Sequence, residues 1–424
     1  MTTGPELAYE LATHTLGNGL QVCVQPDPQA PAVAVNLWYE VGSYDEQPGR
    51  SGFAHLFEHL MFQGSRDVAS GEHMAGVEAV GGSVNATTST DRTNYFETVP
   101  VGALELSLWL EANRMDSLAI TQANFDAQVE VVKEEKRQRY DNQPYGDLFE
   151  LLVAHHFDAT HPYGHLPIGS MQDLDDAGLG DVQAFFDAWY RPSNARLVLS
   201  GNVAVDQAIE LVERHFGSLP ALPRPQHAEA PPALSAPMVT RVSRNVPHSL
   251  LYASWPTPPA AHVDQLALDI ALAILTDGHT SRLHRALVRS RNVAEEVHSA
   301  SLLHLRAGSV ATLLARPADG VPTDAVAEAL REELAAFTVT GPTEEELARA
   351  RAQFERDWLL DLATVEARAD MINDSWLTHG DPTRVNLRLA ELAALTPEDV
   401  RRVVGQHLGP APSELHYLAK ESSR

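Results

Sequence analysis

Residues 53–62 read Phe53-Ala54-His55-Leu56-Phe57-Glu58-His59-Leu60-Met61-Phe62, and their apolar period predicts a helix. In a helix of about 3.6 residues per turn, residues four apart stack on one face, so the His55 and His59 imidazoles can reach one metal ion. Glu58 sits beside them. Two neutral imidazoles leave a zinc ion room for a carboxylate and a water, and a nearby carboxylate can take that water's proton as it attacks a carbonyl. Chance alone produces this pattern in roughly one chain in fifteen of such composition, so context must decide. The competing readings are a partly buried structural histidine pair and a solvated helix face.

Three features of the context favour a metal. The neighbours Phe53, Leu56, Phe57, Leu60, Met61 and Phe62 are apolar, which suits a dry site but also an ordinary core. The run Val131-Val132-Lys133-Glu134-Glu135-Lys136, on a long predicted helix over 121–141, offers a third ligand. Without the histidines it would read as a solvated charged face. Gly81-Gly82 leads into Ser83-Val84-Asn85-Ala86-Thr87-Thr88-Ser89, a predicted strand able to present an open edge to an extended peptide.

Farther out, alternation predicts strands over 20–26 and 32–42, a strand pair over 83–99 and a buried strand over 195–201. Helices are expected over 102–117, 145–157, 179–190 and 205–216. A Pro- and Ala-rich run without period, 221–237, then divides the chain into units 1–220 and 238–424. Beyond it the order recurs, with strands over 239–245, 248–255 and within 293–316, and helices over 262–275, 324–337, 343–366 and 385–407. Thr343 repeats the place of Thr121, and Trp255 that of Trp38. The expected fold class is therefore α+β, two similar sheet-plus-helix domains from an internal duplication.

The 424 residues include 31 Lys and Arg against 57 Asp and Glu, a formal net charge of −26. That field disfavours nucleic acid and anionic lipid; cationic peptides fit it, as does a surface charged only for solubility. The single cysteine, Cys23, lies in an alternating run and reads as a small buried hydrophobe. No apolar stretch approaches about 18 residues and no signal-like leader is evident, so a cytoplasmic chain with no membrane partner is expected. His155 and His156 end a helical pattern, where positive charge would be favoured, and His161 and His165 flank a turn.

Four blocks in order resemble the pitrilysin-type (M16) metallopeptidases, the inverted zincins: HLFEHLMFQGS from His55, NATTSTDRTNYFETVP from Asn85, VVKEEKRQRYDNQPYG from Val131 and LVLSGNV from Leu197. The resemblance implies one Zn2+ per chain held by His55, His59 and Glu135, with Glu58 as the base and Asn85 and Ala86 beside the bound peptide backbone. Glu134 aligns one position early and is set aside. Two departures stand out. Gln128 replaces a further family Glu, and Val288 and Glu295 occupy the positions of a substrate-binding Arg and Tyr. The resemblance thus implies a half-length, zinc-bearing subunit acting as an endopeptidase on oligopeptides or unfolded segments in a clamshell chamber. A related half-length chain would supply Arg and Tyr in a heterodimer; a homodimer recruiting Arg289 or Arg291 is the alternative. The competing function is a non-catalytic structural or assembly subunit of the same fold.

Overall fold

The computed structural model describes residues 7–229, 231–234 and 236–420. The first half contains β1 (Ala12–Thr15), β2 (Gln21–Pro26), β3 (Ala32–Tyr39), α1 (Phe53–Leu60), α2 (Glu72–Ala79), β4 (Ser83–Thr88) and β5 (Thr93–Pro100). It continues through α3 (Leu104–Asp116), α4 (Gln122–Lys136), α5 (Leu148–Ala154), α6 (Met171–Asp175), α7 (Leu179–Trp189), β6 (Ala195–Gly201) and α8 (Val205–Phe216). The second half contains β7 (Val239–Arg244), β8 (Leu250–Thr257), α9 (Gln265–Thr276), β9 (Ala294–Leu302), β10 (Ser309–Pro317) and α10 (Thr323–Thr340). It closes with α11 (Glu344–Asp361), α12 (Val365–His379), α13 (Arg384–Ala394), α14 (Pro397–Val403) and β11 (Ser413–Ala419). No described helix is long and apolar enough to cross a membrane.

The duplication is written in the strand order. Beyond the extra edge strand β1, the first sheet runs β2-β6-β3-β5-β4 and the second β7-β11-β8-β10-β9. In each, the first pair is parallel and the rest antiparallel. Trp38 and Trp255 lie on the equivalent strands β3 and β8. Thr121 and Thr343 both cap long helices: each hydroxyl accepts a backbone N–H at 3.2 Å, from Asn124 and Glu346.

The sheets are covered by exchange. Val22, Val24, Val35, Leu37, Leu197 and Leu199 enter the core built with the first half's own helices. The alternate residues Cys23, Ala34 and Val198 face the other way, against Ala369, Ile372 and Trp376 of α12 and Val385 of α13. Reciprocally, Leu148 and Leu152 of α5 pack on Leu415 and Tyr417 of the second sheet. Burial on both faces explains why β6 is apolar without alternation. It also leaves Cys23 fully buried, its thiol pushed up to about 12 by desolvation.

Several expected elements shift. The helix begun at Phe53 ends at Leu60, and the 385–407 pattern divides at Thr396-Pro397, where Thr396 caps α14 and Pro397 opens it. The 121–141 pattern is α4 prolonged by a π-helical turn, Arg137–Asp141. The sequence pattern leaves out β1, α2, α6 and β11, and it ends one helix inside the region that α12 occupies. That helix hides its period because buried polar residues lie on its packed face: Arg368 and Asn373 are buried and bonded to the first half.

His155 and His156 are not cations favoured by a helix end. Both are buried, with Nε2 atoms 2.8 Å from the Thr240 and Ser254 hydroxyls of the second half. Desolvation pushes His156 down to about 4, so the pair joins the halves through neutral hydrogen bonds.

One Asp370 carboxylate oxygen accepts from Asn36 Nδ2, Trp38 Nε1 and Asn94 Nδ2 at 3.1, 3.2 and 3.1 Å, tying α12 to the first sheet. Asp370→Ala strands these donors and is expected to cost about 3 kcal/mol, with a smaller loss for Asp370→Asn. Urea unfolding of the intact chain measures both.

Candidate metal centre

The helix carrying His55 and His59 starts at Gly52, whose φ of 94° lies in the left-handed region and whose lack of a side chain leaves the first N–H groups uncapped. Glu46 supplies the cap. Its carboxylate accepts from Gly52 N at 2.9 Å and Ala54 N at 2.8 Å, and His165 Nε2 lies 2.8 Å from the same group. Negative charge at a helix N-terminus is favoured by the exposed amide dipoles. From beneath, the Tyr95 hydroxyl donates to the Phe57 carbonyl at 3.2 Å.

The structure brings His55, His59 and Glu135 together. The two Nε2 atoms lie 3.5 and 3.4 Å from Glu135 Oε2, and the rings stand perpendicular with centroids 5.0 Å apart. Metal–ligand bonds of about 2.0–2.2 Å at tetrahedral angles put neighbouring ligand atoms roughly 3.3–3.5 Å apart, so the donor types and separations fit a zinc ion. Burial pushes His55 down to about 4 against the pull of Glu135, which keeps the ring neutral with a free lone pair at pH 7. The other Glu135 oxygen receives Arg139 Nη1 at 2.7 Å, which orients the carboxylate. Arg139 lies within the π-helical turn that follows α4, a feature frequent at functional sites.

Glu58 lies on the same cavity wall. Its Oε2 accepts from Thr88 Oγ1 at 2.7 Å, and burial raises its affinity for a proton. Asn85 and Ala86 belong to β4, the outermost strand of its sheet, where Asn85 Oδ1 accepts the Ala86 N–H at 2.9 Å. His55, Glu58, His59, Asn85, Ala86 and Glu135 all line one cavity of about 480 Å³. Glu134 turns away to Arg137 and Gln138, and Gln128 lies outside that lining.

A second carboxylate-and-histidine cluster lies in the core beside α1. His73 Nε2 meets Glu97 at 2.6 Å, while Glu111 binds the Arg114 guanidinium, with one contact at 3.0 Å. Arg114 stacks over Phe62 and Tyr95 at 4.9 and 4.3 Å. Its guanidinium is already the cation of this cluster, and burial holds His73 near 3, so the group acts as a buttress.

Other motif residues fasten the halves together. Asp91 accepts from Tyr163 at 2.7 Å and from Arg306 at 2.5 Å, and His161 Nε2 lies 2.8 Å from the Pro231 carbonyl. Glu295, on β9, pairs with Arg316 at 2.8 Å, and Arg291 is bound to Glu332 at 2.5 Å; Val288 lies in a π-helical turn before β9. Sequence reasoning missed Glu46, Thr88, Arg139 and Tyr140. Glu46 and Thr88 have no spacing signal, because they reach the site through tertiary packing, whereas Arg139 follows Glu135 at i+4 on the same helical run.

An internally duplicated sheet-and-helix chain with H-x-x-E-H in its first half defines the inverted-zincin class. The model for Insulinase (Peptidase family M16) matches residues 21–166, and that for Peptidase M16 inactive domain matches residues 176–354. The zinc protease PqqE of Helicobacter pylori is 31% identical, covering 95% of this chain and 91% of that protein. The crystal structure of a protease from Helicobacter pylori superposes with a TM-score of 0.87 at 28% identity, covering 97% of this chain and 99% of that one. A probable mitochondrial-processing peptidase subunit beta of Schizosaccharomyces pombe is 25% identical over 93% of this chain and 88% of its own. The chain belongs to peptidase family M16, and its relatives include zinc proteases.

Arg139→Ala is expected to weaken binding of added Zn2+ about 10-fold or more, measured by competition with a chelator. Glu46→Ala leaves the first turn of α1 without its cap and should lower stability by about 2 kcal/mol in urea unfolding.

Proposed function

We propose that this chain is a zinc-dependent endopeptidase subunit, with one catalytic Zn2+ held by His55, His59 and Glu135. The observation that carries this reading is the meeting of both imidazoles with one carboxylate oxygen within 3.5 Å, beside a buried Glu58. Zinc bound there supplies Lewis acidity toward the scissile carbonyl and lowers the pKa of water toward about 7. Glu58 takes the proton from the attacking water and returns it to the leaving amine, steadied by the Thr88 hydroxyl. Asn85 and Ala86 align an extended peptide along the free edge of β4, which selects unfolded segments or oligopeptides with little side-chain preference.

The partner follows from what the second half lacks. Val288 has no donor and Glu295 carries a carboxylate already paired with Arg316, so neither can stabilise an oxyanion. Losing such donors costs about 10²–10³ in turnover. A related half-length subunit providing Arg and Tyr completes the chamber; a second copy of this chain is the alternative. The same loss favours a second reading, a structural or assembly subunit of the family fold. We also take 1–220 and 238–424 as the two domains with 221–237 as the linker. A lone buried Cys23, which needs no oxidising compartment, supports a cytoplasmic location.

The test measures zinc content and cleavage of an unstructured fluorogenic peptide by the chain alone and mixed with related half-length chains. Glu58→Gln should keep the metal and lose about 10²–10⁴ in rate. Equal rates in wild type and variant would remove Glu58 as the base. Full turnover by the isolated chain would remove the need for a second subunit.

A further inference from the structure

The second half repeats the walls of the zinc cavity with other side chains. The end of α9, the edge strand β9 and α11 enclose a cavity of about 570 Å³, lined by Asp277, His279, His284, His298 and Asp357 among others. These elements hold the places in the second sheet unit that α1, β4 and α4 hold in the first. Asp357 lies as many residues beyond its capping threonine, Thr343, as Glu135 lies beyond Thr121. The repeat therefore sets a carboxylate on the same wall in both halves.

On the opposite wall, His279 Nδ1 and His284 Nε2 are 3.0 Å apart, with ring centroids 4.8 Å apart. That separation is close to the roughly 3.3 Å edge between two nitrogens on a tetrahedral ion with bonds of about 2.0–2.1 Å. The surrounding charges are partly spoken for. Arg316 pairs with Glu295 and Glu296 at 2.8 and 3.0 Å, Arg356 pairs with Asp357 at 2.8 Å, and His298 lies 3.5 Å from Glu296. Asp277 accepts only from Thr276 Oγ1, at 3.3 Å, and forms no ion pair among the described residues.

We propose that this cavity is a second divalent-cation site, taking zinc or another imidazole-preferring transition metal through His279 and His284, with water completing the shell. Imidazoles select such metals over calcium or magnesium. His279 is exposed, so the ion has a path from solvent. Its binding ties the loop after α9 to the helical turn that begins at His284.

The test titrates metal-free full-length chain with Co2+, followed by calorimetry and by visible absorption of the tetrahedral ion. Wild type should bind two ions of unequal affinity. His279→Asn/His284→Asn should lose only the weaker, and His55→Ala/His59→Ala only the tighter. In that last variant, added Zn2+ should still raise the unfolding temperature, and adding His284→Asn should abolish the rise. One ion per chain in wild type, or a weaker event that persists without His279 and His284, overturns the proposal. Persistence of the tighter event in His55→Ala/His59→Ala would instead count against the ligands proposed for the first half.

Discussion

Two imidazoles from one helical turn and a carboxylate from a distant helix converge on the wall of one cavity. Taking His55 out of water costs free energy, and Glu135 is a half-buried carboxylate whose only Lys or Arg partner among the described residues is Arg139. Such an arrangement persists only where the two helices are fixed independently of what they hold. Here α1 is pinned at its start by Glu46, at its carbonyl side by Tyr95, and along its apolar face by stacking of Phe57 on Phe185 and Tyr190. The donor geometry is paid for by the packing around it.

That packing rests on the exchange of helices between halves. Each sheet buries one face against its own helices and the other against a helix of its neighbour, so neither half closes its core alone. Asp91 and Arg306, with Glu40, add charged contacts across the same boundary. The cavity in the first half thus depends on residues more than two hundred positions downstream.

Much of this was legible in the sequence, and what was not has a common cause. The spacing of His55, Glu58 and His59 needs only helical geometry, and the block around Glu135 fixes which of two neighbouring acids faces inward. Strands β2, β3 and β6 announce themselves by apolar runs that burial demands. By contrast α12 carries Arg368, Asp370 and Asn373 on a packed face, where each is satisfied by the other half, so a hydrophobic period could not reveal it. Glu46 was invisible for the same reason, its partner His165 being set by tertiary approach, while Arg139 pairs with Glu135 at i+4, a spacing the sequence does carry. The buried state of His155 and His156 likewise depends on the second sheet arriving over α5.

The position of β4 also limits what shape of molecule the proposed chemistry can serve. An edge strand bonded only to β5 leaves alternate backbone groups facing the cavity, and these are satisfied by another extended chain far better than by a helix or a folded surface. Selection then acts on backbone conformation first and on side chains second. With a net charge of −26, long-range attraction would enrich basic segments near the opening, an effect on encounter rate that salt screens over about 8–10 Å. Shape therefore decides which segments can react, and charge decides how often they arrive.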